Sequence, residues 1–443
     1  MRKLSLILVF VSGGLASLNP LFYGAGLPES IRYPDRLLYI PALLFGLASW
    51  CRVPSIARSW PVVTCVAFSL IGVFLVEETE RGRGLLIFAG IAAAVPIASL
   101  IVELKATRLC VQIFIAASVL NMLLLFFASG SLVDIGRFGS LVVNDIRVSN
   151  PNGFAAQMGF AAILTMSLMQ RGRSDSHTRN SIRLSNRDAQ LMLILALFVL
   201  GILLSASRGA ITTLFAVSII FISSARTKVL HRMLLCGGLS LVALLILSTD
   251  NKIVSRFQDR EGIVALGDRL PVWQEAIRVA QSDSRYLWYG VGTGGAEKAL
   301  ALGNSFEHST RVGEDGVARK ATHNSYVEWF LTHGLVGVLL AIWLLVVIVR
   351  VSLRLDQVDQ SADRKMFLAY CAIISMVTAL YRVPFATPLC ALSMAMLSGP
   401  YLALWPKQFM RSVARKGHSQ CISGRPRIRQ SFHRRPDTRG LAN

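Results

Sequence analysis

The stretch that decides the fold is SYVEWFLTHGLVGVLLAIWLLVVIV, residues 325–349. It is longer than the roughly 20 apolar residues that a helix needs to cross the hydrocarbon core of a bilayer. Since no water is present there to satisfy backbone N–H and C=O groups, such a run is expected to be helical. The sequence therefore predicts a transmembrane helix at this position.

Apolar runs of the same kind occur throughout the chain, in which 53% of the residues are hydrophobic. The others lie near residues 4–19, 37–50, 60–76, 84–103, 109–129, 153–170, 190–206, 209–224, 231–248, 366–385 and 387–405. The runs 37–50 and 209–224 are short for a span. Together the runs predict an all-α polytopic membrane protein with about 12 transmembrane helices.

The formal charge of +21 is explained by topology rather than by nucleic-acid binding. Arginine and lysine crowd the connections 171–187 and 226–232 and the tail after Trp405. If Met1 is cytoplasmic, alternation of the spans puts all three basic segments in the cytoplasm, as the positive-inside rule requires. The excess charge is therefore mostly a matter of topology, and the expected partner of the protein is the lipid bilayer rather than nucleic acid.

The same alternation predicts one large periplasmic loop, which is far longer than an ordinary connection and is therefore expected to be functional. The predicted organisation is N-terminal transmembrane helices over 1–150, core transmembrane helices over 151–248, the large loop over 249–322, C-terminal transmembrane helices over 323–406 and a basic, poorly ordered cytoplasmic tail over 407–443.

Within the loop, the sequence from Gly267 to Pro271 predicts the start of a short amphipathic helix. Asp268 is the expected N-cap and Pro271 the residue tolerated in the first turn. Trp273 is expected to anchor this helix at the membrane interface. The later segment 303–320, rich in glycine, serine and charge, is expected to be irregular.

His323 lies where the loop re-enters the membrane. A neutral imidazole can accept a proton from a hydroxyl nucleophile, although helix capping or interfacial packing would also explain a histidine here. Asn324, Tyr326 and Glu328 are positioned to orient it. The weaker histidine candidates are His308, in the irregular segment, and His333, inside the apolar run.

Two arginines are candidates for binding an anion. Arg208 stands between two apolar runs with almost no loop around it, and Arg269 opens the loop helix. The guanidinium group matches phosphate oxygens in a bidentate fork, which suits a diphosphate. Snorkelling to the interface for Arg208, and simple solvation for Arg269, are the alternative interpretations.

Gly290, Gly292 and Gly294 form a glycine turn in the loop, and Gly295 completes a G-x-G-x-x-G pattern. A dinucleotide site is not predicted, because the pattern lies between membrane spans rather than in a βαβ unit. The turn either is structural or brings backbone close to an anionic ligand.

No metal site or cofactor is predicted. None of the seven cysteines lies in the large loop, and no two have metal-ligand spacing. Asp259 and Glu261 flank Arg260, but this spacing alone does not indicate a metal.

Five motifs, in their order and predicted side of the membrane, resemble the O-antigen ligase and polymerase superfamily. They are Asn150-Pro151-Asn152-Gly153-Phe154, Ser207-Arg208-Gly209, Arg269 with Trp273, the turn Gly290 to Gly294, and His323-Asn324-Ser325-Tyr326 followed by Gly334-Leu335-Val336-Gly337.

The resemblance implies a membrane-embedded GT-C type glycosyltransferase that is inverting and metal-independent. Such an enzyme moves a glycan from undecaprenyl diphosphate to an acceptor at the periplasmic face of the bacterial inner membrane. It further implies that Arg208 and Arg269 bind the donor diphosphate. His323 is then the essential histidine, as a general base or an orienting group, with Asn324, Tyr326, Gly290, Gly292 and Gly294 in support.

The reaction within the superfamily stays open at this point. The spacing of Arg208, Arg269 and His323 favours an O-antigen ligase acting on lipid A-core, and the alternative is an O-antigen or exopolysaccharide polymerase with a glycan acceptor. A lipid-linked sugar transporter is the alternative of another class. It predicts charged residues near the centres of several spans, whereas 153–170 and 231–248 contain none.

Overall fold

The structure is a computed structural model. It describes residues 1–16, 39–50, 60–128, 142–143, 146–147, 151–171, 185–205, 207–223, 238, 265–302, 311–312, 318–319, 322–359, 363–377 and 386–396. Three predicted features lie outside these residues. They are the span 231–248 (except Gly238), the candidate His308 and the basic tail 407–443.

Helices dominate the described part of the chain. They are α1 (Arg2–Gly14), α2 (Tyr39–Trp50), α3 (Trp60–Leu75), α4 (Glu78–Glu103), α5 (Thr107–Ala128), α6 (Pro151–Arg171), α7 (Asn186–Leu204), α8 (Arg208–Ser223), α9 (Ala265–Gln281), α10 (Ser284–Tyr289), α11 (Ala296–Leu302), α12 (Ser325–Asp359), α13 (Asp363–Val377) and α14 (Ala386–Met396).

Two short antiparallel strand pairs are the exceptions to the all-α prediction. Strands β1 (Val142–Val143) and β2 (Ile146–Arg147) pair with each other. Strands β3 (Arg311–Val312) and β4 (Ala318–Arg319) form a second pair, inside the segment that was expected to be irregular.

Every predicted apolar run except 231–248 overlaps a described helix. Within the described residues, 4 helices are long and apolar enough to cross a membrane, and several apolar helices are shorter. The four are Glu80–Glu103, Thr107–Phe127, Asn186–Leu204 and Ser325–Arg350. The protein is therefore a nearly all-helical membrane protein, and the number of about 12 spans stays a prediction from the apolar runs.

Helix α6 is at the centre of the main hydrophobic core. It begins at Pro151, and proline is a favoured first helical residue. Its side chains from Phe154 to Met166 are almost completely buried. Small residues let neighbours approach closely: Tyr370 of α13 packs over Gly159, and its hydroxyl donates to the carbonyl of Ala156.

Helix α12 is broken inside its membrane-spanning part. Gly334 has φ 62° and ψ −164°, which is not helical. Such a break removes helical partners from the carbonyls of the preceding turn, and these must be satisfied by other protein groups when water is absent.

The outer loop has a small core of its own. Ala276 and Ala280 of α9, Val291 of the glycine turn and Leu300 of α11 are buried together with Leu331 of α12. The loop is thereby packed onto the beginning of α12.

Ion pairs tie the same loop to the beginning of α4. Lys298 pairs with Glu77, and Glu297 pairs with Arg83. The loop and the α3–α4 connection therefore lie at one end of the helices, as the alternation of spans predicts.

Candidate active site

His323 is exposed, and its backbone is in the left-handed region with φ 51°. Its neighbours Thr322 and Asn324 are buried. Residues other than glycine rarely adopt this conformation, and where they do it often marks a functional position. The chain thus turns the histidine outward between two inward-facing residues, immediately before α12.

Asn324 caps α12. Its Oδ1 accepts hydrogen bonds from the N–H of Tyr326 at 2.9 Å and of Val327 at 3.2 Å. This arrangement satisfies two of the N–H groups that a helix start leaves without partners. The Tyr326 hydroxyl donates to the carbonyl of Ala372 in α13 at 3.0 Å. Both residues therefore hold the beginning of α12 beside His323, and their supporting role in the reaction stays a prediction.

Helix α9 is joined to the same short segment. The Trp273 indole N–H donates to the Thr322 carbonyl at 3.1 Å. Arg269 precedes Trp273 by four residues, so both lie on one face of α9. Arg269 is half-buried. The structure therefore brings the face of α9 that carries Arg269 next to the residue before His323.

The start of α9 differs from its prediction. The helix begins at Ala265, so Asp268 is not its N-cap and Pro271 lies inside the helix rather than in the first turn. A proline there removes one N–H from the helical ladder, and its ring crowds the carbonyl four residues earlier.

Arg208 is the first residue of α8. Helix α7 ends at Leu204, and buried Ser205 and Ser207 make the short connection, in which the Ser207 N–H donates to the Ser205 hydroxyl at 3.3 Å. The break between two apolar helices is as predicted. The Arg208 side chain lies outside the described part of the structure, so its convergence with Arg269 and His323 stays a prediction.

The glycine turn is built into the bundle. Gly290, Gly292 and Gly294 have φ of 76°, 92° and 101°. The N–H of Val291 donates to the Leu331 carbonyl at 2.9 Å and the N–H of Gly292 to the Thr332 carbonyl at 3.1 Å. These are carbonyls of the turn just before the break at Gly334, so the loop supplies hydrogen bonds that the broken helix needs.

The next residue of the turn extends the same contact to α3. The Thr293 N–H donates to the Gly72 carbonyl at 2.9 Å and its hydroxyl to the Ser69 carbonyl at 2.8 Å. Of the two interpretations of this turn, the hydrogen bonds favour the structural one, because its N–H groups at 291–293 are used by protein carbonyls.

His333 is buried, in contrast to His323. Its Nε2 lies 3.3 Å from the Thr293 hydroxyl, and its ring stacks on Trp329 with centroids 4.0 Å apart. A small cavity of about 20 Å³ adjoins it, lined in part by Glu328 and Thr332. That is room for about one water molecule and not for a sugar. His333 therefore packs the helix break rather than facing a substrate.

Sequence reasoning missed Thr322 and Thr293, whose roles depend on long-range contacts. Glu328 had a usable signal, since a carboxyl group in an apolar span is costly unless it has a partner. Within the described residues, no three His, Cys, Asp or Glu side chains are gathered as metal ligands. Metal independence stays a prediction.

Residues 193–342 match the protein family described as O-antigen ligase. Arg208, Arg269, the glycine turn and His323 all lie inside the matched segment. The predicted resemblance to the O-antigen ligase and polymerase superfamily is confirmed over this segment. Members of that family are glycosyltransferase-like ligases and polymerases. No curated protein matches the chain.

Proposed function

We propose that this protein is an O-antigen ligase, which transfers a glycan from undecaprenyl diphosphate to lipid A-core at the periplasmic face of the bacterial inner membrane. The observation that carries the proposal is the exposed, left-handed His323 at the start of a membrane helix, with the Arg269-bearing helix held beside it through Trp273. The family match supports the same chemistry.

In the proposed reaction, an acceptor hydroxyl oxygen attacks the anomeric carbon of the glycan as the bond from that carbon to the diphosphate oxygen breaks. The configuration at the carbon inverts. The imidazole of His323 takes the hydroxyl proton or orients the hydroxyl. Arg208 and Arg269 neutralise the charge that grows on the departing diphosphate, which is the work that a metal ion would otherwise do.

The second candidate within the superfamily is a polymerase, which uses the same donor and a second lipid-linked glycan as the acceptor. The family match covers ligases and polymerases alike and favours both over a lipid-linked sugar transporter. The acceptor therefore distinguishes the two enzymes.

The purified protein is given a lipid-linked glycan together with lipid A-core in one tube and with a second glycan-lipid in another. Transfer to lipid A-core alone is expected, and chain growth alone would instead establish a polymerase. Activity is expected to be unchanged by a chelator. Loss of activity with chelator and its return with a divalent ion would contradict the metal-independent mechanism.

A further inference from the structure

The conformation of His323 is enforced by its neighbours. A left-handed backbone at a histidine is unfavourable in isolation and persists only where surrounding structure determines it. The two flanking residues, Thr322 and Asn324, are 1% and 6% exposed, so both are held inside the protein while His323 projects outward. Whatever fixes these two residues fixes the direction in which the His323 side chain leaves the backbone.

The Thr322 hydroxyl is the centre of the contacts. It donates to Oε2 of Glu328 at 2.7 Å and accepts the N–H of Asn324 at 3.3 Å. The Thr322 hydroxyl has a second possible acceptor, the carbonyl of Asn324, which is more distant at 3.0 Å. One side chain thus bridges across His323 and connects the residue before it, the residue after it and the next turn of α12.

Glu328 is completely buried in the apolar part of the chain. A carboxyl group in this environment is costly and is kept where it has a defined task. Its contact with Thr322 supplies one: the backbone N–H of Glu328 donates to the Asn324 carbonyl at 3.0 Å, so the same residue holds the turn from both its main chain and its side chain.

We propose that Thr322 and Glu328 are positioning residues, which act through the Thr322 hydroxyl to hold His323 in the orientation that meets the acceptor. This inference rests on the proposed function. Neither residue touches the substrate; their effect is on the geometry of the imidazole. Displacing a reacting group by about 1 Å costs on the order of 100-fold in rate. Loss of the Thr322–Glu328 hydrogen bond is therefore expected to lower kcat.

The test compares Thr322→Val, which removes the hydroxyl at nearly constant volume, with Thr322→Ser, which keeps it. Thr322→Val is expected to lower kcat on the order of 10- to 100-fold while the KM for the lipid-linked donor is unchanged, and Thr322→Ser is expected to restore most of the rate. The matched control is Thr165→Val, because the buried Thr165 hydroxyl donates only to Ala161 within α6. It is expected to keep the wild-type rate.

An unchanged kcat in Thr322→Val, a rise in KM alone, or a Thr322→Ser enzyme as slow as the valine variant would overturn the proposal. If Thr322→Val does not fold, Glu328→Gln and Glu328→Ala decide instead. Glutamine keeps an oxygen for Thr322 and is expected to be close to wild type, whereas alanine is expected to be slow; equal losses would contradict positioning. A wild-type enzyme that transfers no glycan refutes the proposed function itself, not this inference.

Discussion

At the scale of single residues, two histidines ten positions apart have opposite environments. His323 is exposed at the end of the loop, and His333 is buried against Trp329 and Thr293. The sequence predicts His323 rather than His333 as the catalytic candidate, because His323 lies at the end of the loop and within the family motif. Of these two histidines, His323 is the one that faces outward, and its catalytic role stays a prediction.

Replacing His323 tests this assignment directly. His323→Asn removes the imidazole, but asparagine adopts the left-handed conformation more readily than most residues, so the fold is expected to be unaffected. Transfer is expected to fall by about 10²–10⁴-fold, the usual contribution of a general acid or base. The rate is measured with the lipid-linked donor, and thermal unfolding in detergent is the control. A variant with the wild-type rate would exclude His323 from the chemistry.

At the scale of elements, the glycine turn and the break in α12 complete one another. The turn presents N–H groups at Val291 and Gly292, and the break presents carbonyls at Leu331 and Thr332. In a bilayer neither group has water as an alternative partner. This pairing gives the glycine turn a structural role in the described part of the chain.

The break itself is expected to tolerate only glycine. A Cβ at residue 334 would lie 2.5 Å from the Trp288 carbonyl carbon and oxygen, and the φ and ψ there are nearly exclusive to glycine. Gly334→Ala is expected to lower the free energy of unfolding by about 1–3 kcal/mol or more, seen as a lower unfolding temperature.

Gly82→Ala is the matched control. Gly82 lies in α4, and a Cβ added there would have no other residue's atoms within 4 Å. Alanine in a helix is about 0.5–1 kcal/mol better than glycine, so this variant is expected to be neutral or more stable. An equal loss in both variants would show that the break at Gly334 is not what the substitution disturbs.

At the scale of the whole molecule, the loop is attached to one end of the helices by its own small core and by ion pairs. The pairs Lys298–Glu77 and Glu297–Arg83 join it to the start of α4, while Trp273 joins α9 to the segment before α12. The candidate site therefore lies between the loop on one side and the helices on the other.

The predicted sidedness is tested with single cysteines in a cysteine-free background. Ser305→Cys in the large loop is expected to react with a membrane-impermeant thiol reagent in intact spheroplasts, because the positive-inside rule puts the loop in the periplasm. Ser412→Cys in the basic tail is expected to react only after the membrane is permeabilised. The reverse pattern of labelling would invert the topology and move His323 to the cytoplasmic side.

The apolar runs, the basic connections and the order of short motifs are properties of the chain alone. They predicted helices at 60–76, 109–129 and 325–349, the break before Arg208 and the superfamily, because burial in a bilayer requires long apolar helices whatever their neighbours. The start of α9 at Ala265 was not predicted, since capping signals around Asp268 compete with packing of the helix on α12.

Only the tertiary structure decided how the site is held. Thr322 and Thr293 carry no motif, and their hydrogen bonds join residues that are distant or separated by a turn, such as Thr293 with Ser69. Likewise, whether three glycines bind a ligand or a broken helix depends on which carbonyls the fold brings to them. Hydrophobicity is a sum over local residues and can be read along the chain, whereas hydrogen-bond partners in a dry interior are chosen by the packing of whole elements.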